Sequence, residues 1–209
     1  PTPYRFLAQV SLREGNVETA YKLILQQLEL NPTAEDFDVA FQIVNSQWID
    51  DLGMKIVEMV HNEKEVLRER AGMIHNFALA LMDAEKWDLA RNVLALGEEV
   101  SDGGTTGHYS MDYHVINLAQ TYLHEKKDVP DEVLTQIKAI SESPRDAYTK
   151  FGCDVILENW DQVGEFFETE SIHGDRHTLF SVPTWPIFRL VPESQQSILL
   201  DRIRRFRKG

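Results

Sequence analysis

Apolar residues recur at helical spacing along most of the chain, and short polar breaks divide the helical stretches. The segment YRFLAQVSLREGNVETAYKLILQQLELNP, residues 4–32, shows one such unit. Leu7, Ala8 and Val10 with Ser11 line one helix before the break. Ala20, Leu23, Ile24 and Gln27 line a second helix after it. Gly15 sits at the turn, and Pro32 ends the unit where a helix should stop. The pattern predicts an antiparallel helical hairpin.

The unit recurs. Ile74, Phe77, Ala78, Leu81, Ala90 and Leu94 repeat the spacing 70 residues later, which is two periods of about 35. A looser copy lies between, carried by Phe37, Val44, Gly53 and Val57, with Gly53 as its small residue. Leu118, Ala119 and Tyr122 through to Ile137 predict a fourth hairpin. Glu158-Asn159-Trp160-Asp161 echoes Glu85-Lys86-Trp87-Asp88 and predicts a fifth turn. A hairpin alone cannot bury its apolar stripe. Small residues let paired helices approach, and stacking neighbours buries a continuous core.

Tyr4, Leu7, Ala8, Gly15, Ala20, Ile24 and Pro32 together resemble the tetratricopeptide repeat. The departures are Ser11 where an aromatic is usual and Gln27 where alanine is usual. The resemblance covers roughly residues 3–167. It implies an all-α fold, a right-handed stack of about five antiparallel hairpins (a TPR-like α-solenoid) with a C-terminal capping helix. The expected layout is a repeat array over residues 1–170, followed by a loop and capping helices over 171–209.

In that family the first helix of each hairpin lines a concave groove. The resemblance therefore implies a ligand-binding surface of Arg5, Gln9 and Arg13 from the first unit, and Asp38, Gln42 and Asn45 from the second. The third adds His75, Leu79, Met82 and Asp83, and the fourth Tyr113 and Gln120. Amides there can pair with an extended backbone, and apolar positions can take side chains. Arg5 alone fits the family's carboxylate clamp, because Gln9 and Val39 stand where asparagines belong.

Two segments interrupt the array. SDGGTTGHY at 101–109 reads as a linker, and it lacks the Gly-Lys-Ser/Thr ending of a phosphate loop. SIHGDRHTLFSVPTWP at 171–186 brings His173, Asp175 and His177 close together, residue types that can bind zinc. Gly174 favours a loop over the helix that would align the two histidines, and no HExxH motif is present. Pro183 and Pro186 bracket Trp185 as an extended anchor. A last helix from about Glu193 to Arg207 places Leu199, Ile203 and Phe206 on one face, as a cap would. The PIFRLVP and SILLDRI stretches also resemble the tails of repeat regions attached to bacterial regulatory proteins.

Charge narrows the function. The 209-residue chain carries a net −13, which argues against general nucleic-acid binding. Arg202, Arg204, Arg205, Arg207 and Lys208 form a basic end. Removing those five from the 21 basic residues leaves 16 against 34 acidic ones, a balance of −18. An acidic body favours a protein or peptide partner with a basic or amphipathic segment. No apolar run approaches the ~20 residues of a membrane span, and no signal peptide is visible, so a cytoplasmic location is expected. The start at Pro1 without methionine is expected of a processed protein or a piece of a longer one. Cys153 is alone, so it forms no internal disulfide and no thiolate metal site. With no catalytic motif and no nucleotide loop, the chain reads as a non-catalytic interaction scaffold without cofactor or metal. The alternatives are self-association as a homodimer, or a regulatory module of a larger signalling or transcriptional protein.

Overall fold

A computed structural model describes residues 3–30, 33–43, 49–62, 71–101, 111–173 and 182–206. Every regular element among them is helical. In chain order, α1 spans Pro3–Arg13, α2 Val17–Leu30, α3 Ala34–Gln42, α4 Ile49–Asn62, α5 Ala71–Asp83 and α6 Trp87–Ser101. Next come α7 Met111–His124, α8 Asp131–Glu142, α9 Ala147–Ile156 and α10 Trp160–His173. Two 3-10 turns, Val182–Thr184 and Pro186–Leu190, lead into α11, Glu193–Phe206. No described helix is long and apolar enough to cross a membrane.

Four of the turns share one backbone geometry. Gly15, Glu85, Lys126 and Glu158 all have left-handed φ angles, between +56° and +76°. At each, the same two hydrogen bonds close the preceding helix. Gly15 N–H donates to Leu12 O and Asn16 N–H to Ser11 O. Glu85 and Lys86 donate to Met82 and Leu81, Lys126 and Lys127 to Leu123 and Tyr122, and Glu158 and Asn159 to Val155 and Asp154. This is the Schellman closure, which satisfies carbonyls that a helix end leaves open. Glycine takes the left-handed region without strain, whereas a side chain there costs roughly 1 kcal/mol. Seven residues before each turn residue stand Ala8, Ala78, Ala119 and Phe151, all fully buried. Five residues after Gly15, Glu85 and Glu158 stand Ala20, Ala90 and Val163, also fully buried.

The helices form two compact units, Pro1–Ser110 and Met111–Gly209. The boundary between them lies at Ser110. The 3-10 turn Pro186–Leu190 lies on α7 and α9, and α11 lies on α10. Residues 186–203 therefore contribute Ile187, Phe188, Leu199 and Ile203 to the second unit's core.

In the first unit, α1 pairs with α2 and α5 with α6, while α3 packs against α1, α2 and α5. Phe41 on α3 stacks on Phe77 of α5 with ring centroids 4.9 Å apart. Burying rings such as Phe37 and Phe77 contributes roughly 1.5–3 kcal/mol each. The helix α4 packs on α6 at Gly53, where an added Cβ would sit 2.5 Å from Leu89 Cδ2. Gln27, the departure from alanine, is buried and donates to Asp36 Oδ2 at 3.3 Å. That carboxylate also takes the Thr33 N–H at 2.8 Å and the Thr33 hydroxyl at 2.8 Å, which fixes the start of α3.

In the second unit, α8 pairs with α7 and α9, α9 packs on α7 and α10, and α10 carries α11. Leu199 and Ile203 of α11 are buried. The side chain of Phe206 is outside the described residues. Asp146 caps α9 by accepting from Thr149 N–H at 2.7 Å. At the far end of α9, Asp154 accepts from Lys150 Nζ at 2.6 Å and from Asn159 Nδ2 at 3.2 Å.

Candidate functional site

Because the four turns share one geometry, residues at a fixed distance before the left-handed residue occupy equivalent places on the first helix of each hairpin. Six before it stand Gln9, Leu79, Gln120 and Gly152. Ten before it stand Arg5, His75, Ile116 and Tyr148. Two before it stand Arg13, Asp83, His124 and Ile156. Of the sequence-derived surface residues, Arg5, Gln9, Arg13, His75, Leu79, Asp83 and Gln120 fall on these positions, whereas Met82 stands three before its turn residue and Tyr113 thirteen before. The two units treat it differently.

In the first unit most of these positions stay open. Arg13, Gln42 and Asp83 are exposed, and Gln9, His75 and Leu79 are half-buried. They lie on α1, α3 and α5, and α3 touches both of the others. Arg5 is engaged within the chain. Its guanidinium donates to Thr33 Oγ1 at 3.0 Å and to Glu35 at 3.3 Å, and it stands 3.5 Å from buried Asp36. Arg5 thus ties α1 to the start of α3. Met82 is fully buried and lies in the core of the first unit. Leu7, expected on an inner face, is 47% exposed, and Phe6 beside it is 55% exposed. The side chains of Asp38 and Asn45 lie outside the described residues.

In the second unit the equivalent surface is covered by the chain itself. Trp185 stacks on Tyr148 at 5.5 Å and meets Tyr113 edge-on at 5.9 Å. Its indole Nε1–H donates to Asn117 Oδ1 at 2.9 Å. The same oxygen takes Gln120 Nε2–H. His124 Nε2 lies 3.2 Å from Pro186 O. A Cβ at Gly152 would stand 2.8 Å from Trp185 Cη2 and 2.9 Å from Ile116 Cγ2, so only glycine admits the indole there. Gln120 is therefore fully buried in a polar core network, not on an open surface. Its Oε1 has no hydrogen-bond partner among the described residues.

Trp185 has extended backbone, φ −80° and ψ 127°, as its flanking prolines predict. The flanks themselves coil into the two 3-10 turns. Asn117, His124, Tyr148 and Gly152 were missed by pattern reading. Counting back from Lys126 and Glu158 finds the last three, but only once both are known to be left-handed.

Burial shifts three titratable groups of the second unit. Burial, then the Asp146 charge, pushes the Tyr113 hydroxyl up to about 12, and the hydroxyl donates to Asp146 at 3.1 Å. Burial pushes the Cys153 thiol up to about 12, so it stays protonated at neutral pH. Burial pulls His114 down to about 4, which keeps its ring neutral. Among the described residues no cluster of three or more His, Cys, Asp or Glu can hold a metal. Asp175 and His177 lie outside those residues, as does the His173 side chain. No family model matches the chain, and no curated protein matches it.

Proposed function

We propose that the chain is a non-catalytic interaction scaffold of TPR-like architecture, a right-handed stack of helical hairpins closed by α11. The observation that carries this reading is the single turn geometry at Gly15, Glu85, Lys126 and Glu158, with buried residues in step on either side. Contacts of α3 with α1 and α5, and of α9 with α7, add the next-neighbour packing that stacked hairpins need. The surface offered to a partner is the α1, α3 and α5 face of the first unit, with Gln9, Arg13, Gln42, His75, Leu79 and Asp83. Amide side chains there suit an extended backbone, and the chain's net −13 favours a basic or amphipathic segment.

Affinity capture with mass spectrometry tests the proposal, comparing the wild-type chain with Gln42→Arg and with Gln162→Arg as an exposed control in the other unit. A partner held by wild type and control but lost by Gln42→Arg, at unchanged helicity, supports it. Equal recovery by all three removes the first-unit face from consideration.

One observation favours self-association as a second reading. Pro3, Phe6, Leu7 and Val10 fall on one stripe of α1 at i, i+3, i+4 and i+7 spacing, and the first three are exposed. The places of Phe6 and Arg13 are taken by exposed Asn76 and Asp83 in α5. Sedimentation of wild type against Phe6→Asn tests this: a dimer that dissociates in the variant supports it, and two monomers reject it.

A further inference from the structure

Pro3, Tyr4, Phe6 and Leu7, in the first half of α1, are all exposed. Tyr4 and Leu7 stand eleven and eight residues before the left-handed Gly15. Ile74 and Phe77 stand at the same distances before Glu85, yet both are buried, and Phe77 stacks on Phe41 of α3. The face that a neighbouring helix closes in α5 is thus open in α1. It sits on a fixed helix, because Arg5 ties α1 to Thr33 and Glu35 at the start of α3.

Charge points to what closes it. The chain carries 34 acidic residues against 21 basic ones, a net −13, so two copies repel one another on most approaches. Alone among the described α-helices, α1 has no Asp or Glu. The carboxylate of Glu35, beside its first turn, is paired with Arg5 at 3.3 Å. A second copy can approach this face without setting carboxylate against carboxylate.

We propose that the α1 stripe is the interface of a weak homodimer, in which α1 packs antiparallel on α1 of a second copy across a two-fold axis between Phe6 and Leu7. In that register Phe6 meets Leu7 of the second copy, and Pro3 meets its Val10. The two Arg13 residues then stand about 20 Å apart along the helices, beyond the ~8 Å reach of charges at physiological salt. Area sets the strength. Tyr4, Phe6 and Leu7 expose on the order of 300 Å² per copy. A standard interface buries about 800 Å² per partner, so the dimer is concentration-dependent. Salt strengthens it by screening the acidic bodies from each other. The dimer rests on the self-association reading and gives it a geometry; it does not depend on the Gln42 surface.

The test uses the full 209-residue chain. Sedimentation across micromolar to millimolar concentrations should show a wild-type dimer whose dissociation constant falls about threefold or more from low to physiological salt. Leu7→Glu sets two carboxylates at the axis and should weaken the dimer about tenfold or more. Its helicity should not change, because position 7 is exposed. Leu7→Cys should form an intermolecular disulfide under copper–phenanthroline oxidation. Arg13→Cys should not, because a disulfide spans no more than about 7 Å between Cα atoms. The native Cys153 is buried and adds no background. Wild type that stays monomeric at every concentration and salt overturns self-association altogether. A dimer that survives Leu7→Glu, crosslinks equally through Arg13→Cys, or weakens as salt rises overturns the α1 geometry and leaves self-association to another face.

Discussion

Gln9 and Gln120 are the same residue at the same place in two hairpins, six positions before a left-handed turn, yet one is half-buried and the other fully buried. Nothing in their own helices accounts for this. Both helices carry an alanine one residue earlier for close packing, Ala8 and Ala119. Residues 185–190, which lie on the second unit's α7 and α9, are one such difference between the two faces. Local sequence thus sets the hairpin, and a segment far along the chain decides whether its face is open. Phe6 and Asn117, nine positions before their turns, follow the same logic. Phe6 faces outward uncovered, and Asn117 is a buried acceptor for Trp185.

The sharpest way to break the comparison is to remove the cover. Trp185→Ala should destabilise the second unit by about 3–5 kcal/mol, the cost of truncating a buried aromatic. Phe6→Asn should change stability by no more than about 0.5 kcal/mol, as exposed substitutions do. Chemical denaturation of both variants measures the contrast, and equal losses would mean that α1 is covered as well.

Acid should separate the units next. His114 has a folded pKa of about 4, against an ordinary value near 6.5. The unfolded chain therefore takes up a proton that the folded unit refuses. This contribution is fully present above pH 6.5 and is lost as pH falls toward 4, by on the order of 3 kcal/mol. Thermal melts across that window should show the loss in wild type and a flatter profile in His114→Gln. An unchanged profile in the variant would assign acid sensitivity to other groups.

Smaller effects sharpen the picture. Gly152→Ala places a methyl 2.8 Å from Trp185, so it should cost about 1–3 kcal/mol by overpacking. Gly164→Ala meets nothing within 4 Å and should be neutral or slightly stabilising. The turns give the smallest signal. Lys126→Gly should stabilise by up to about 1 kcal/mol and Gly15→Ala should cost about as much, because only glycine holds left-handed φ without strain. Melting temperatures that shift together would contradict the shared turn geometry.

Much of the fold was legible in the sequence because helical periodicity and turn chemistry are local. Gly15, the alanines at 8, 20, 78 and 90, and the echo of Glu85-Lys86-Trp87-Asp88 at Glu158 mark hairpins directly. The candidate surface was only partly legible, since exposure is a tertiary property. The contacts of Arg5 with Thr33, Glu35 and Asp36, which tie α1 to α3, could not be read from its spacing. Leu7 reads as core until no described helix is found to cover it as Phe41 covers Phe77. Gln120 reads as surface until the Trp185–Asn117 hydrogen bond brings a residue 68 positions away onto its helix. Periodicity cannot foresee a pairing at that distance.

The most direct test places one cysteine at each equivalent position, Gln9→Cys and Gln120→Cys, in chains whose native Cys153 is buried and inert. Each is treated with a thiol reagent under native and then denaturing conditions. The account predicts that the thiol at position 9 reacts in the native chain, whereas the thiol at position 120 reacts only after denaturation. Equal labelling of the two in the native state would contradict it.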